Sequence, residues 1–215
     1  MTRRFDTRVP LSRAQGIAAA TTAVGRGRVV LVPTESVFAL LADAFSARGV
    51  ASVRAAKNRP DDRALPVAVS SVSMLRGIAE RLPTYAQTLV EAFWPGPLTL
   101  VCHQQPSLAW AAGGEGRTLT VRMPLHPVAL EVIAGVGPSV LVGADPPLDV
   151  DASGPPPDEV DIVLEAGPRP QELARSTVVD VRGPEPVLVR AGALPTPALA
   201  KVAPTVVAPT EGEHP

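Results

Sequence analysis

Short apolar runs alternate with helix-like segments along most of this chain, and that alternation limits what it can fold into. Residues Val29-Val30-Leu31-Val32 are apolar at every position and stop at Pro33. A run of this kind is typical of a strand buried on both faces of a sheet. Further strands are predicted at residues 67–69, 98–102, 119–122, 140–142, 162–164, 177–181 and 187–189. Strands interleaved with helices predict an α/β domain of the α+β type, with helices packed around a twisted mixed sheet.

The helical segments carry recognisable start signals. Ser12-Arg13-Ala14-Gln15 and Thr84-Tyr85-Ala86-Gln87 both fit the capping-box pattern, and Pro127 suits the first turn of a helix. Helices are predicted over residues 12–25, 46–56, 71–81, 84–94 and 127–134.

The chain length and its proline distribution indicate one domain. The 215 residues suffice for a single sizeable core. We expect an N-terminal extension over residues 1–11, one domain over 12–193, and a proline-rich C-terminal tail over 194–215 that starts with a short helix. Residues 144–159, rich in Pro, Asp and Gly, are predicted to form a loop.

Charge and composition indicate which partners and which cell compartment to expect. The 20 basic and 21 acidic residues give a net charge of −1, so the total charge does not favour a nucleic-acid or membrane partner. The N-terminus lacks the apolar core of a signal peptide, and no run of 18 apolar residues occurs. We therefore expect a cytoplasmic protein. The single cysteine, Cys102, lies in a strand-like run and is predicted to be a buried thiol rather than a nucleophile.

Residues 57–66 form the most informative basic segment. Lys57, Arg59 and Arg63 lie within seven residues and precede an apolar strand. In an extended loop, the spacing of Lys57 and Arg59 sends both side chains the same way. An ammonium beside a guanidinium suits a polyphosphate, which accepts both single and paired hydrogen bonds. Taken alone, the segment slightly favours a solvated charged loop after a helix.

Six segments occur in an order that resembles the YrdC-like family of threonylcarbamoyl-AMP synthases. The first is Val32-Pro33-Thr34-Glu35-Ser36-Val37-Phe38-Ala39-Leu40, and the others are residues 57–65, Phe93-Trp94-Pro95-Gly96-Pro97-Leu98-Thr99, Val121-Arg122-Met123-Pro124 with His126-Pro127, Ser176-Thr177-Val178-Val179-Asp180 and Arg190-Ala191-Gly192. The resemblance covers about residues 12–193 and implies a YrdC-like fold with a concave basic groove.

The resemblance also implies an activity. Family members are nucleotidyltransferases that join threonine, bicarbonate and ATP into threonylcarbamoyl-AMP and pyrophosphate, toward the t6A37 modification of tRNA. ATP is then a substrate, Mg²⁺ is the expected metal, and downstream tRNA-modification proteins are expected partners. Because an anionic carboxylated threonine must approach an anionic phosphate, the site needs cations that screen both.

Individual roles follow from the matching positions. The resemblance makes Lys57 and Arg59 the catalytic cations and assigns ATP binding to Lys57, Arg59, Arg63, Asp145 and Arg190. It assigns substrate contacts to Thr34, Arg122, Ser176 and Thr177. No residue is assigned as a dedicated metal ligand. Several of these positions also have a purely structural alternative: a turn-forming hydroxyl for Thr34, an ion pair for Arg122, and ordinary strand positions for Ser176 and Thr177. His126 precedes a predicted helix and is expected to cap it rather than to act as a base.

One segment departs from the family pattern. Val142-Gly143-Ala144-Asp145-Pro146-Pro147-Leu148 stands where the family carries Ser-Ser/Pro-Ala-Asn-x-Ser-Gly. A carboxylate in place of the amide repels a passing triphosphate by about 1–4 kcal/mol at a few ångströms. Asp145 either joins a Mg²⁺ shell or marks a weakened nucleotide site. The second case leaves two alternatives: a divergent paralogue that binds double-stranded RNA or a small anion, and a carbamoyltransferase for another acceptor.

Overall fold

The computed structural model describes residues 2–59, 64–113, 117–143, 158–167 and 175–206. The strands are β1 (Arg3–Asp6), β2 (Val29–Pro33), β3 (Phe38–Asp43), β4 (Val67–Ala68), β5 (Leu98–His103), β6 (Thr118–Arg122), β7 (Ser139–Gly143), β8 (Val160–Glu165), β9 (Thr177–Asp180) and β10 (Val187–Arg190). The helices are α1 (Pro10–Gly25), α2 (Ala47–Ala56), α3 (Val72–Ile78), α4 (Thr84–Phe93), α5 (Pro127–Val136) and α6 (Thr196–Val202).

All of these strands belong to one mixed sheet. Their order across it is β1-β8-β2-β3-β7-β4-β6-β5-β9-β10. Parallel pairs such as β2 with β8 and β5 with β9 alternate with antiparallel pairs such as β2 with β3 and β5 with β6. The prediction of a mixed sheet surrounded by helices is confirmed.

The sheet buries both of its faces, as the apolar run in β2 predicted. Val30 and Val32 pack into a cluster with α1 and α5, whereas Val29 and Leu31 face a larger cluster that includes residues of α2, α3, α4 and α6. Alternate residues of a strand point to opposite faces, so a strand covered on both sides must be apolar throughout. Among the described residues, no helix combines the length and apolar character needed to cross a bilayer.

Two strands escaped the sequence analysis. Residues 3–6, which fall within the predicted extension, form β1 and pair in parallel with β8 at the sheet edge. The segment Arg-Arg-Phe-Asp has no apolar run, because an edge strand can keep polar side chains in solvent. β3 was concealed by its position directly after β2: the two form an antiparallel hairpin, with Pro33 opposite Phe38.

Both predicted capping boxes are wrong, although the helices themselves form. α1 begins at Pro10 after Val9, and α4 begins at Thr84 after Pro83; neither capping residue makes a side-chain cap hydrogen bond. A proline at the start of α1 supplies the helical φ and lacks the N–H that would need a partner. In the region predicted to be a tail, α6 contributes Leu199, which is fully buried.

Candidate functional site

A row of residues across four neighbouring strands forms the floor of a cavity. In the strand registers, Thr99 of β5 lies opposite both Arg122 of β6 and Val178 of β9, and Val178 lies opposite Arg190 of β10. All four line the same cavity. Three inter-strand spacings separate the backbones of Arg122 and Arg190 by roughly 14 Å. The sheet therefore brings together two arginines that are far apart in the sequence.

A β-bulge directs Arg190 toward this cavity. Leu188 pairs with Val179, but Arg190 pairs with Val178, so the register shifts between Leu188 and Arg190. In an unbroken strand, Arg190 would share a face with Leu188, whose side chain is buried in the core. The extra residue moves Arg190 to the face of Val178, the cavity face.

The C-terminal end of α2 supplies two more cations. Lys57 follows the last helical residue, and its Nζ donates a hydrogen bond of 2.6 Å to the carbonyl oxygen of Gly143 at the end of β7. Asn58 has a φ of 47°, and the amide of Arg59 donates to the carbonyl of Arg54. The predicted extended loop is therefore wrong at Lys57 and Asn58, because the backbone here is a helix-ending turn. Lys57 and Arg59 nevertheless both line the cavity.

The cavity has a volume of about 500 Å³, within the range of small-molecule sites. Five cations line it: Lys57, Arg59, Arg122, Arg175 and Arg190. Its polar lining also includes the hydroxyls of Ser36, Thr99, Thr120 and Ser176, and its apolar lining includes Val37, Ala39, Val67, Leu141, Val142 and Val178. Five of the predicted site residues thus share one cavity: Lys57, Arg59, Arg122, Ser176 and Arg190.

The electrostatics of the cavity favour an anion. Burial lowers the pKa of Arg190, and the positive charges of Arg175 and Arg122 lower it further. The guanidinium groups of Arg59 and Arg175 make no hydrogen bond or ion pair with any described residue. Like charges held close together repel one another, so an anion that enters the cavity relieves this repulsion and lowers the free energy of the site.

Glu35 is the carboxylate that faces Arg122. Its Oε1 lies 2.7 Å from Nη1 of Arg122, and both side chains are only 15% exposed. Its Oε2 accepts a hydrogen bond of 3.2 Å from the amide of Leu125. The ion-pair alternative for Arg122 therefore holds in this structure, and Arg122 lines the cavity as well.

Ser176 links two elements of the cavity wall. Its Oγ accepts hydrogen bonds from Oγ1 of Thr99 at 2.9 Å and from Nη2 of Arg190 at 3.2 Å. The same guanidinium also donates to the carbonyl of Ser176 from Nε and Nη2. These bonds hold Arg190 against β9.

Thr34 and Thr177 differ from the other predicted site residues. Both are fully buried and stand outside the lining given above. Oγ1 of Thr34 donates to the carbonyl of Val37 at 2.6 Å, and Oγ1 of Thr177 donates to the carbonyl of Leu194 at 3.0 Å. In this structure the hydroxyl of Thr34 stabilises a turn, and the hydroxyl of Thr177 joins the start of β9 to the backbone of Leu194. A substrate contact for either stays a prediction. Arg63 and Asp145 lie outside the described residues.

Two residues judged non-catalytic from the sequence have the predicted structural roles. Cys102 is 1% exposed, and burial raises the pKa of its thiol to about 12. His126 precedes α5, and its Nδ1 accepts a hydrogen bond of 3.3 Å from the amide of Val128. The predictions of a buried thiol and a helix cap are confirmed.

Metal ligands are scarce in the described parts of the chain. No group of three or more His, Cys, Asp or Glu side chains there is arranged to hold a metal ion. Asp145, the residue expected either to join a Mg²⁺ shell or to mark a weakened nucleotide site, lies outside these parts, so a role in metal binding stays a prediction.

Several residues of this site were not predicted from the sequence, among them Glu35, Thr99 and Arg175. Arg175 precedes Ser176, and Glu35 lies inside a quoted motif, but neither position carries a local signal of its role. Thr99 could have been predicted, because pairing β5 with β6 places it opposite Arg122. Finding Glu35 and Arg175 required the tertiary arrangement.

The Sua5/YciO/YrdC family model, described as "Telomere recombination", matches residues 22–192. A protein of Mycobacterium tuberculosis, provisionally named a threonylcarbamoyl-AMP synthase, is 40% identical over 208 residues, which cover 94% of this chain and 95% of the relative. The threonylcarbamoyl-AMP synthase of Pyrococcus abyssi is 32% identical over 190 residues, covering 83% of this chain and 54% of that protein.

Solved structures share the fold. The crystal structure of P. abyssi Sua5 complexed with L-threonine superimposes with a TM-score of 0.80 at 28% identity, covering 97% of this chain and 62% of the other. The crystal structure of E. coli YciO gives a TM-score of 0.75 at 20% identity and covers 93% of this chain and all of the other. This chain thus spans the whole of E. coli YciO and about three fifths of P. abyssi Sua5.

Proposed function

The chain belongs to the Sua5/YciO/YrdC family, and we propose from this that it is a threonylcarbamoyl-AMP synthase. It would convert threonine, bicarbonate and ATP into L-threonylcarbamoyladenylate and pyrophosphate, as a step toward t6A37 in tRNA. One observation carries the proposal: five cations line a single cavity of about 500 Å³. Such a cavity suits a ligand with several negative charges.

The chemistry requires charge screening and positioning. Threonine and bicarbonate first combine into an N-carboxylated threonine with release of water. A carbamate oxygen of that anion then attacks the α-phosphorus of ATP; the new O–P bond forms while the bond from the α-phosphorus to the bridging oxygen breaks, and pyrophosphate leaves. Neither step needs a covalent bond to the protein. The high pKa and burial of Cys102 fit this scheme.

Each cation has a role that its position supports. Lys57 and Arg59, at the end of α2, would bind the β- and γ-phosphates and stabilise the charge that grows on the leaving pyrophosphate. Arg190, held by Ser176, would bind the nucleotide phosphates from the opposite wall, with Arg175 beside it. Arg122 would attract the carboxylate of threonine while Glu35 keeps its side chain in place. Mg²⁺, bound with ATP, would supply further charge neutralisation.

The direct test is pyrophosphate release from the purified chain. We expect release that requires threonine, bicarbonate and Mg-ATP together, and that stops when any one is left out. Arg59→Ala should lower the rate, whereas the matched control Arg76→Ala, which removes an exposed arginine of α3 outside the cavity lining, should not. No release with all substrates at millimolar concentration would remove the synthase proposal.

The alternatives raised by the sequence have less support. The M. tuberculosis and P. abyssi relatives carry the synthase name, which supports the synthase over an RNA-binding or anion-binding module and over a carbamoyltransferase. RNA and downstream tRNA-modification proteins remain expectations from the family resemblance, and a cytoplasmic location remains an expectation from the sequence.

A further inference from the structure

A second basic concavity lies away from the candidate site. It has a volume of about 670 Å³ and is lined by four arginines, Arg3, Arg26, Arg28 and Arg48, with Asp161 as its one charged acid. We call these five residues and the space between them the arginine cleft. Its remaining lining comes from Ala18, Ala19, Thr22, Ala23 and Ile162, which are small or apolar and leave the arginines accessible.

The arginine cleft and the candidate cavity lie at opposite ends of β2. Arg28 directly precedes this strand, and Ser36, which lines the candidate cavity, follows its far end. The six residue-to-residue steps from Arg28 to Thr34 span about 20 Å in extended conformation. A small ligand in one site therefore does not reach the other.

A turn at Gly27 brings Arg26 and Arg28 close to the start of α2, which carries Arg48. Gly27 has a φ of +71°, and a Cβ at this position would lie 2.6 Å from Oγ of Ser46. This close contact packs the Arg26-Gly27-Arg28 turn against the start of α2. Arg48 lies in the first turn of α2, where no acidic residue offsets the positive end of the helix dipole.

The positive charge of the cleft is only partly neutralised within the protein. Arg28 makes a bidentate ion pair with Asp161, at 2.5 and 2.8 Å. The guanidinium of Arg3 stacks over the ring of Phe5 at 4.9 Å, which leaves its N–H groups available. Arg26 and Arg48 make no side-chain hydrogen bond or ion pair with any residue that the structure describes. All four arginines are exposed.

We propose that the arginine cleft is a second anion site, which binds a ligand through two or more phosphate groups. A chain with a net charge of −1 gains no folding stability from placing unpaired arginines side by side. Guanidinium groups bind phosphate oxygens in pairs, and a cleft wider than one phosphate suits several phosphates in a row. The ligand is an oligophosphate or the backbone of a nucleic acid, which present the same chemistry. The proposal does not depend on the synthase activity.

Calorimetry with inorganic tripolyphosphate tests this site on the full chain. The background carries Lys57→Ala and Arg59→Ala, which weaken the candidate cavity. In that background we expect one binding event, weakened at least about tenfold by adding Arg26→Ala with Arg48→Ala. The matched control is Arg76→Ala with Arg81→Ala, two exposed arginines with the same change in net charge, and it should alter affinity less than about twofold. Melting temperatures measured for each variant show that all are folded.

Three outcomes decide the matter. Loss of binding in the Arg26/Arg48 variant alone supports the site, and equal loss in the control variant overturns it, because general charge then explains the binding. No tripolyphosphate binding in the Lys57/Arg59 background also overturns it. Where the site is supported, displacement of tripolyphosphate by a short single-stranded oligonucleotide identifies a nucleic-acid backbone, and failure to displace it identifies a free oligophosphate.

Discussion

Replacing Glu35 by alanine tests how the candidate site holds its central arginine. Glu35 and Arg122 form an ion pair of 2.7 Å with both side chains 15% exposed, and Glu35 also accepts the amide of Leu125. Alanine removes the carboxylate and leaves the guanidinium without a counter-charge in a cavity that four other cations line. We expect the protein to lose stability through this unpaired charge.

The size of the loss follows from burial. Breaking a fully buried pair costs about 3–5 kcal/mol, because one charge stays desolvated and unpaired. Here Arg122 lines an open cavity, so water replaces part of the lost interaction, and about 2–3 kcal/mol remains. For a chain of this length that corresponds to a decrease in melting temperature of roughly 5–10 °C. Glu35→Gln, which keeps the size and the acceptor oxygen, should lose about half as much.

A double-mutant cycle separates the pair from its surroundings. Free energies of unfolding in urea for Glu35→Ala, Arg122→Ala and the double variant should give a coupling energy of about 1.5–3 kcal/mol. The affinity for ATP should not fall with stability. Removing Glu35 adds net positive charge to the cavity, so this affinity should stay the same or rise. A coupling energy below about 0.5 kcal/mol would refute the reasoning, because the pair would then behave as a solvent-screened contact.

Four further predictions concern other residues. Arg59→Ala should raise the KM for ATP about tenfold without changing the melting temperature, since the side chain is exposed and unpaired among the described residues; an unchanged KM contradicts its phosphate role. Gly192→Ala should lower the free energy of unfolding in urea by about 2–4 kcal/mol, because its Cβ would lie 2.3 Å from the carbonyl oxygen of Arg175. An unchanged free energy of unfolding would contradict this, because the backbone would then move aside at no cost. Burial raises the pKa of the Cys102 thiol from 9.0 to about 12. The resulting contribution to the free energy of unfolding is fully present below pH 9 and is lost as the pH rises from 9 to 12. Cys102→Ala should remove that part of the alkaline slope, and the native thiol should not react with a disulfide reagent at about pH 8, whereas a reactive thiol would contradict its burial. Asp145→Asn should raise ATP affinity about tenfold if Asp145 repels the triphosphate, and calorimetry showing a decrease would favour the metal-ligand role.

The fold was predicted well where the signal is local. A strand buried on both faces, such as β2, must be apolar at every position, so Val29-Val30-Leu31-Val32 was sufficient to predict it. The edge strand β1 and the hairpin strand β3 were missed. The polar β1 is a strand because it pairs with β8, whose residues lie more than 150 positions away. Hydrogen bonds to such a distant partner leave no periodicity in the segment itself.

For the candidate site, the sequence alone determined which residue types were present. The motifs identified Lys57, Arg59, Arg122 and Arg190 as cations of one site, and all four line the cavity. Tertiary structure decided how they meet. A bulge in β10 moves Arg190 to the cavity face, strand register sets its distance from Arg122, and chain folding supplies Glu35 as the partner carboxylate. Charge and size are properties of a single residue, whereas register, facing direction and pairing are properties of two segments in contact, and only the folded chain defines them.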